Sequence, residues 1–500
     1  MNRFKTSKFK NTTPKIAKKD GWINNVRAGS FSCQGNHIKA SSKLVAFNTE
    51  QAGGGMLGLS SLKPGSDGQW TVTQISCHSD LVTDMDFSPF DESLLATCSG
   101  DETVKLWRLC DPELQPPSSP ELTLRPGQGR LELVLFHPTS SSLLAVGATK
   151  VPLIWDAGRQ DTPLAVLEQH GDQLQSLSWK PDGSLLASSC KMFLFLKMLH
   201  CLFPQSAKSL QNNKDSRILW AKDDLLLTTG FDMVRQSLYV ALTSSPCTQY
   251  KYTCFRSGKT QPPLAQRAGE KGNVDLFPFF FRRLSLYSAG SLSSGAIAAT
   301  NIDTSPSTLI PFYDPDTSVV ILTAKGDTRV HIYEIAAEEP YFMECSSFNS
   351  PEPHKGLAFL PKSECNVRDV EIAVGLMLTK TAVEPVAFRV PRVKKEFFQD
   401  DLYTDTAVCW EPALTAASWL SGSNGQHKKI SLKPADMTPS RPPKEAPVRK
   451  YLPSSVYLEE KTDEQKKDEL LSAMVSKLGN MDDPLPQDSF EGVDEDEWDD

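Results

Sequence analysis

Several features that would commit a chain to catalysis, export or a membrane are missing here. The 500 residues hold 11 cysteines, an odd number, with no CxxC and no regular spacing. That argues against a disulfide framework and fits scattered reduced thiols in the cytosol. The longest apolar run, Met192 to Phe203, is interrupted by Lys197 and His200 and is too short to span a bilayer. The N-terminus is polar and basic and lacks the apolar core of a secretory signal. Gly53-Gly54-Gly55 lacks the Gly-Lys pair of a phosphate-cradling loop, and reads as a hairpin turn. The eight histidines are dispersed, and Asp314-Pro-Asp316 reads as an Asx-capped turn rather than an acid–base pair. No catalytic set, metal site or cofactor site is expected. Sustained heptads are absent, so no coiled-coil oligomer is expected. A net charge of -8 argues against nucleic acid as the main partner.

What is present begins at Cys77 and runs to Trp107: CHSDLVTDMDFSPFDESLLATCSGDETVKLW. Leu81, Val82, Met85 and Phe87 suggest one short strand, which Ser-Pro-Phe-Asp breaks because Pro89 fixes φ and has no N–H. Leu94 to Cys98 is a second strand, Gly100-Asp101 a tight turn, and Thr103 to Trp107 a third. The stretch resembles a WD repeat, the unit of a β-propeller blade. The resemblance implies that His78, Ser99, Asp101 and Trp107 form a chain of hydrogen bonds, so that none is buried unpaired. The aromatic-x-Pro then Leu-Leu-Ala pattern recurs at Phe87, Phe136 and Trp179, near the period of a four-stranded blade. The second repeat ends in Trp155 without a turn Asp. The third opens with His170 but runs into MFLFLKMLHCLF. Ser216 to Phe231 resumes the pattern, 233 to 294 loses it, and Ser307 restores it with Tyr333 at the Trp position. Low order is expected between 233 and 294, with Phe277 to Phe281 an apolar liability or an improvised packing patch.

The expected fold is therefore all-β. It is a WD-repeat propeller of about seven blades, whose closure needs both the N-terminal strand and the unpatterned middle, with a disordered C-terminal tail containing a short helix. The expected division is a basic arm over 1–21 and a propeller over 22–390 with an irregular insert at about 192–294. An extension over 391–433, a Pro-rich linker over 434–461, a helix over 462–480 and an acidic tail over 481–500 follow. In the helix, Leu470, Leu471, Met474, Val475 and Leu478 share one face. The ends are oppositely charged. Arg3 to Arg27 carries eight basic residues against one acidic, and Asp482 to Asp500 carries ten acidic residues and no basic one.

Ser7-Lys8-Phe9-Lys10 and Val390 to Leu432, with FFQDDLYTDT and EPALTAASWLSG, resemble the opening and the post-propeller extension of the coronin family. Thr404 replaces the usual Pro. The short helix and acidic Trp end resemble its tandem-propeller type, in a shortened form that joins the start of one propeller to the end of the other. The resemblance implies a cytoskeletal regulator that binds F-actin through basic propeller surfaces, with Lys8, Lys10 and Arg27 as candidates. It also implies an acidic segment, Asp494, Glu495, Asp496, Glu497 and Trp498, that engages the Arp2/3 complex. The acids would steer and Trp498 would anchor. Family expectation adds vesicle-coat or ubiquitin-system adaptors as partners. It adds a cytoplasmic location, with Golgi and vesicle membranes visited peripherally, in support of Golgi-to-endosome transport. The alternative is a generic WD adaptor without actin affinity.

Overall fold

The computed structural model describes residues 6–109, 116–158, 162–190, 193–197, 205–208, 215–222, 224–234, 279–423, 425–440 and 463–478. These fall into two units, 1–441 and 442–500. The first contains seven antiparallel sheets of at least four strands and one short two-stranded sheet. In chain order the seven span 38–76, 82–124, 131–166, 174–208, 217–301, 310–344 and 356–389, and are called blades 1 to 7. Each is a meander whose first strand lines the centre and bonds its neighbour. Val134 and Phe136 of blade 3 donate backbone N–H groups to the Asp84 and Asp86 carboxylates of blade 2 at 3.1 and 2.9 Å. The Trp220 N–H of blade 5 reaches Ser178 Oγ of blade 4 at 3.1 Å.

The core follows the same logic. A strand in a blade buries both faces, so apolar residues collect between sheets rather than at one centre. Among the described residues, seven apolar clusters occupy the seven blade junctions. The anchors Phe87, Phe136 and Trp179 are buried at the ends of the inner strands of blades 2, 3 and 4. The junction of blades 7 and 1 packs Ala358, Leu376 and Leu378 on Ile38, Val45 and Phe47, so the ring closes.

Closure comes from the N-terminal segment, which the sequence reading placed in a basic arm. Thr13–Ile16 is the outer strand of blade 7, in register from Thr13 opposite Arg389 to Ile16 opposite Val386. Phe9 is fully buried with Val319, Phe388, Phe398, Leu402 and Tyr403. The segment 6–17 thus belongs to the propeller. Isoleucine and proline in TPKI give no apolar alternation, and a strand that borrows its partner from the far end of the chain leaves no local signature.

The middle also departs from expectation. Phe193–Lys197, inside the apolar run, is the third strand of blade 4, paired with 186–189. Leu225–Val234 and Phe279–Ser288 pair over ten residues as the second and third strands of blade 5, and Ala296–Asn301 is the fourth. Low order therefore does not extend to 279–294, where Phe280 and Phe281 are half-buried. Residues 235–278 and Phe277 lie outside the described residues. Arg282, almost fully buried on the third strand of blade 5, pairs with Asp303, just past the fourth strand of that blade, and with Asp327 of blade 6. A buried guanidinium is tolerable only when so paired, and here the pairing fastens blade 5 to blade 6.

The extension straps the ring. Phe398 and Tyr403 enter the Phe9 cluster, and the Tyr403 hydroxyl donates to the Glu371 carbonyl at 2.7 Å. The helix Ala416–Leu420, N-capped by Thr415, drops Trp419 between blades 3 and 4. There its indole N–H donates to the Gly183 carbonyl at 2.8 Å and its ring lies edge-on to His137 and Trp179. Met437 is buried as well, so the propeller body continues past 433 into the expected linker. In the second unit, Asp463–Leu478 is a helix with Leu470, Leu471, Met474 and Val475 all more than half exposed.

Candidate functional site

The WD hydrogen-bond chain of blade 2 is built from the turn upward. His78 Nδ1 lies 3.0 Å from the Asp101 carboxylate, and the Thr103 hydroxyl donates to that carboxylate at 2.7 Å. His78 Nε2 meets Thr97 Oγ1 at 2.8 Å, and the Trp107 indole N–H donates to the same oxygen at 3.1 Å. The hydroxyl link is Thr97, not Ser99. Ser99 Oγ donates instead to the Asp80 carbonyl and accepts the Asp101 N–H, both at 3.1 Å, which shapes the turn. Burial lowers the His78 pKa despite the carboxylate beside it, so the ring is neutral: Nδ1–H donates to Asp101 and Nε2 accepts from Thr97. For Asp101 burial works upward, but the bonds from His78 and Thr103 outweigh it and hold the carboxyl well below its ordinary range. Replacing Thr97 by Val orphans two buried groups at once and is expected to cost about 2–4 kcal/mol. Ser99→Ala is expected to cost about 1 kcal/mol; urea midpoints of the two variants separate the roles.

Elsewhere the chain is partial. His170 Nε2 meets Ser188 Oγ at 2.9 Å in blade 4, while the Trp155 indole of blade 3, which has no turn Asp, finds no acceptor. Asp314 accepts from the Asp316 N–H at 3.2 Å and the Thr317 hydroxyl at 2.7 Å, an Asx-capped turn. Among the described residues no group of His, Cys, Asp and Glu could hold a metal ion, and no helix is long and apolar enough to cross a membrane.

The basic candidates are exposed, but they do not share a face. Lys8 and Lys10 lie beside the extension, where Lys8 Nζ donates to the Asp401 carbonyl and sits 5.2 Å from the Phe9 ring. From there the chain climbs the outer edge of blade 7. Ala17 bonds Pro385, Ile23 bonds Val383, Val26 bonds Thr381 and Ala28 bonds Lys380. That path runs the length of the strand Val383–Arg389, roughly 20 Å at the rise of an extended strand, and on to the turn at Lys380. Arg27 therefore stands on the opposite rim from Lys8 and Lys10. Its backbone is fixed on both sides: its carbonyl accepts the Glu50 N–H at 2.7 Å, and its neighbours bond Thr381 and Lys380 at 3.1 and 3.2 Å.

Two lysines far away in sequence join it. Lys380 is exposed on the facing turn, and Lys355 Nζ donates to the Ala28 carbonyl at 3.0 Å and to Ser30 Oγ. Sequence reasoning missed both, because only the pairing of the N-terminal segment with blade 7 brings them to Arg27. The acidic candidates Asp494, Glu495, Asp496, Glu497 and Trp498 lie outside the described residues.

With this geometry established, similarity to known proteins becomes informative. Residues 65–108 and 161–192 match a family described as "WD domain, G-beta repeat", and 383–427 match one described as "Type of WD40 repeat". Residues 2–64 match a domain of unknown function, DUF1899. Coronin-7 of Mus musculus is 40% identical over 503 residues, covering 99% of this chain and 50% of that protein. Coronin-A of Dictyostelium discoideum is 29% identical over 436 residues, 86% of each chain. The solved WD40 domain of Toxoplasma gondii coronin shares the fold, with a TM-score of 0.69 at 22% identity over 85% of this chain and 98% of that one. The chain spans about half the length of the coronin-7 relatives it matches. One strapped ring of WD blades, latched by its own N-terminus and resembling coronins from end to end, has a single reading: the chain belongs to the coronin family.

Proposed function

We propose that the chain is an actin-cytoskeleton regulator, a non-enzymatic propeller scaffold that binds F-actin through the rim carrying Arg27, Lys355 and Lys380. The observation that supports this reading is their convergence on one rigid edge, where long cationic side chains on fixed backbone suit an acidic filament surface. Lys8 and Lys10, on the other rim, would form a separate contact. The acidic end, Asp494 to Trp498, would engage the Arp2/3 complex, and the half-exposed apolar face of the helix 463–478 would gain its partner in the same encounter. Golgi and vesicle membranes, with vesicle-coat or ubiquitin-system adaptors, are the proposed setting for a cytosolic protein that associates peripherally.

The test is co-sedimentation of the whole chain with actin filaments across a salt series. Charge reversal at both Arg27 and Lys380 is expected to weaken binding about tenfold or more and to flatten the salt dependence. Reversal of Lys8 and Lys10 should have the smaller effect. Deleting 482–500, or Trp498→Ala, should abolish Arp2/3 pull-down while filament binding persists. Absence of salt-sensitive co-sedimentation with filaments would favour the generic adaptor, and binding unmoved by both reversals would place the filament contact elsewhere.

A further inference from the structure

The central channel has a volume of about 990 Å³. At one end the loop Cys33 to Asn36 reaches inward, its carbonyls held by the buried Arg217 and the half-buried Lys325, with Asp84 lining the same end. Lys325 Nζ donates to Cys33 at 3.1 Å and to Gly35, and Arg217 donates to Gln34 at 3.4 Å and to Gln175 at 3.3 Å. The other end is formed by the turns after the inner strands and by the extension, which crosses it between its anchors at Tyr403 and Trp419. Its lining carboxylates are Glu92, Asp314, Asp316 and Glu364, and its lining cations are Lys362 and Lys39, the latter paired with Asp86 at 2.9 Å. Lys362 is already bonded to Asp314 and, at 2.6 Å, to the Ile372 carbonyl, and Glu92 is paired with Lys43 at 2.7 Å.

Among the described residues neither Asp316 nor Glu364 forms an ion pair; of the two, Asp316 accepts from the Thr406 side chain and has Lys362 and Lys429 only at longer range. Burial raises its pKa, and the neighbouring Asp314 adds to the rise. The adjoining wall is apolar, with Phe87, Phe312, Phe359 and Ile372, and the Trp410 indole, 45% exposed, stands at the opening.

We propose that this mouth is a binding site for an apolar cation: an amine or basic side chain whose hydrophobic body enters the channel while its charge stays with Asp316 and Trp410. The wall takes the body by the hydrophobic effect. The underpaired carboxylate and the indole face take the charge. This site is independent of the filament rim.

The probe is dansylcadaverine, an aromatic amine, titrated into the whole chain and followed by energy transfer from tryptophan. Dansylglycine, with the same fluorophore, a shorter arm and the opposite charge, is the control. Saturable transfer is expected for the amine and not for the anion. Asp316→Asn should weaken the amine about tenfold, and Trp410→Phe should lower the transfer, the other ring tryptophans still donating, while changing affinity by about threefold or less. Hexylamine should displace the probe from the unaltered chain and hexanoate should not, a readout that needs no variant to fold. Equal binding of both dansyl compounds, displacement by hexanoate, or unchanged affinity in Asp316→Asn would each overturn the assignment.

Discussion

A chain lacking its first 22 residues is expected to lose cooperative folding, and Phe9→Ala in the full chain to lose about 3–5 kcal/mol. The deletion removes two things. Thr13–Ile16 is the outer strand of blade 7, so its loss leaves the Val383–Arg389 edge unpaired. An open edge of that length invites pairing with another chain. Phe9 is also lost, and with it the packing between blades 6 and 7 and the extension residues Phe398, Leu402 and Tyr403. The point variant isolates the second effect. Its turn is held by the Thr12 N–H and hydroxyl on the Phe9 carbonyl, at 2.9 and 2.7 Å, and survives truncation of the side chain. What remains is a large cavity in a fully buried site, the costliest kind of core change. Urea denaturation followed by tryptophan fluorescence checks both. A truncated chain that still unfolds in one steep transition near the midpoint of the full chain would contradict the latch.

How much of this was legible depended on whether the signal was local. The three aromatic-x-Pro anchors announced blades 2, 3 and 4, because each repeat carries its own turn and its own alternation. Ser99 and Thr97 could not be told apart by spacing. They are two residues apart on one strand, share a face, and offer the same hydroxyl; only the reach from His78 and Trp107 decides. Blade 5 was hidden for another reason. Its second and third strands meet at Val234 and Phe279, so the register that defines the blade spans a gap no window of sequence covers. The site suffered in the same way. Lys8, Lys10 and Arg27 are near in sequence and belong to opposite rims, whereas Arg27, Lys355 and Lys380 are distant in sequence and share one. The chemistry of each residue was readable; the pairing that groups them was not.

Acid should unfold this propeller well before its carboxylates titrate, with about 6 kcal/mol of stability lost between pH 7 and pH 5. Four buried histidines carry the effect. Burial pushes the pKa of His137, His170 and His354 down to about 4 each. Burial, with Lys325 nearby, pushes that of His37 down to about 3. In the unfolded chain each takes up a proton as the pH falls below 6.5, whereas the folded chain must refuse it until the lower value is reached. Their contribution is therefore complete above the unfolded pKa and is lost as pH falls toward the folded one. At pH 5 the refusal costs about 2 kcal/mol per ring. His37 precedes blade 1, His137 lies under Trp419, His170 precedes blade 4 and His354 precedes blade 7, so the four losses should nearly add. Carboxylates whose pKa burial raises oppose them, Glu132, Asp316 and Glu384 among them, and Asp84 most of all. Burial raises Asp84 to about 6 from 3.8, so the folded state holds a proton there that the unfolded state releases. That offsets about 1 kcal/mol over the same interval. Urea midpoints at pH 7, 6 and 5 measure the sum. Replacing His170 by Gln, which keeps a polar group near Ser188 and does not titrate, should flatten the slope by about a quarter. A stability that stays level from pH 7 to pH 5 would mean that these rings accept protons in place, and that the blade junctions around them are open to water.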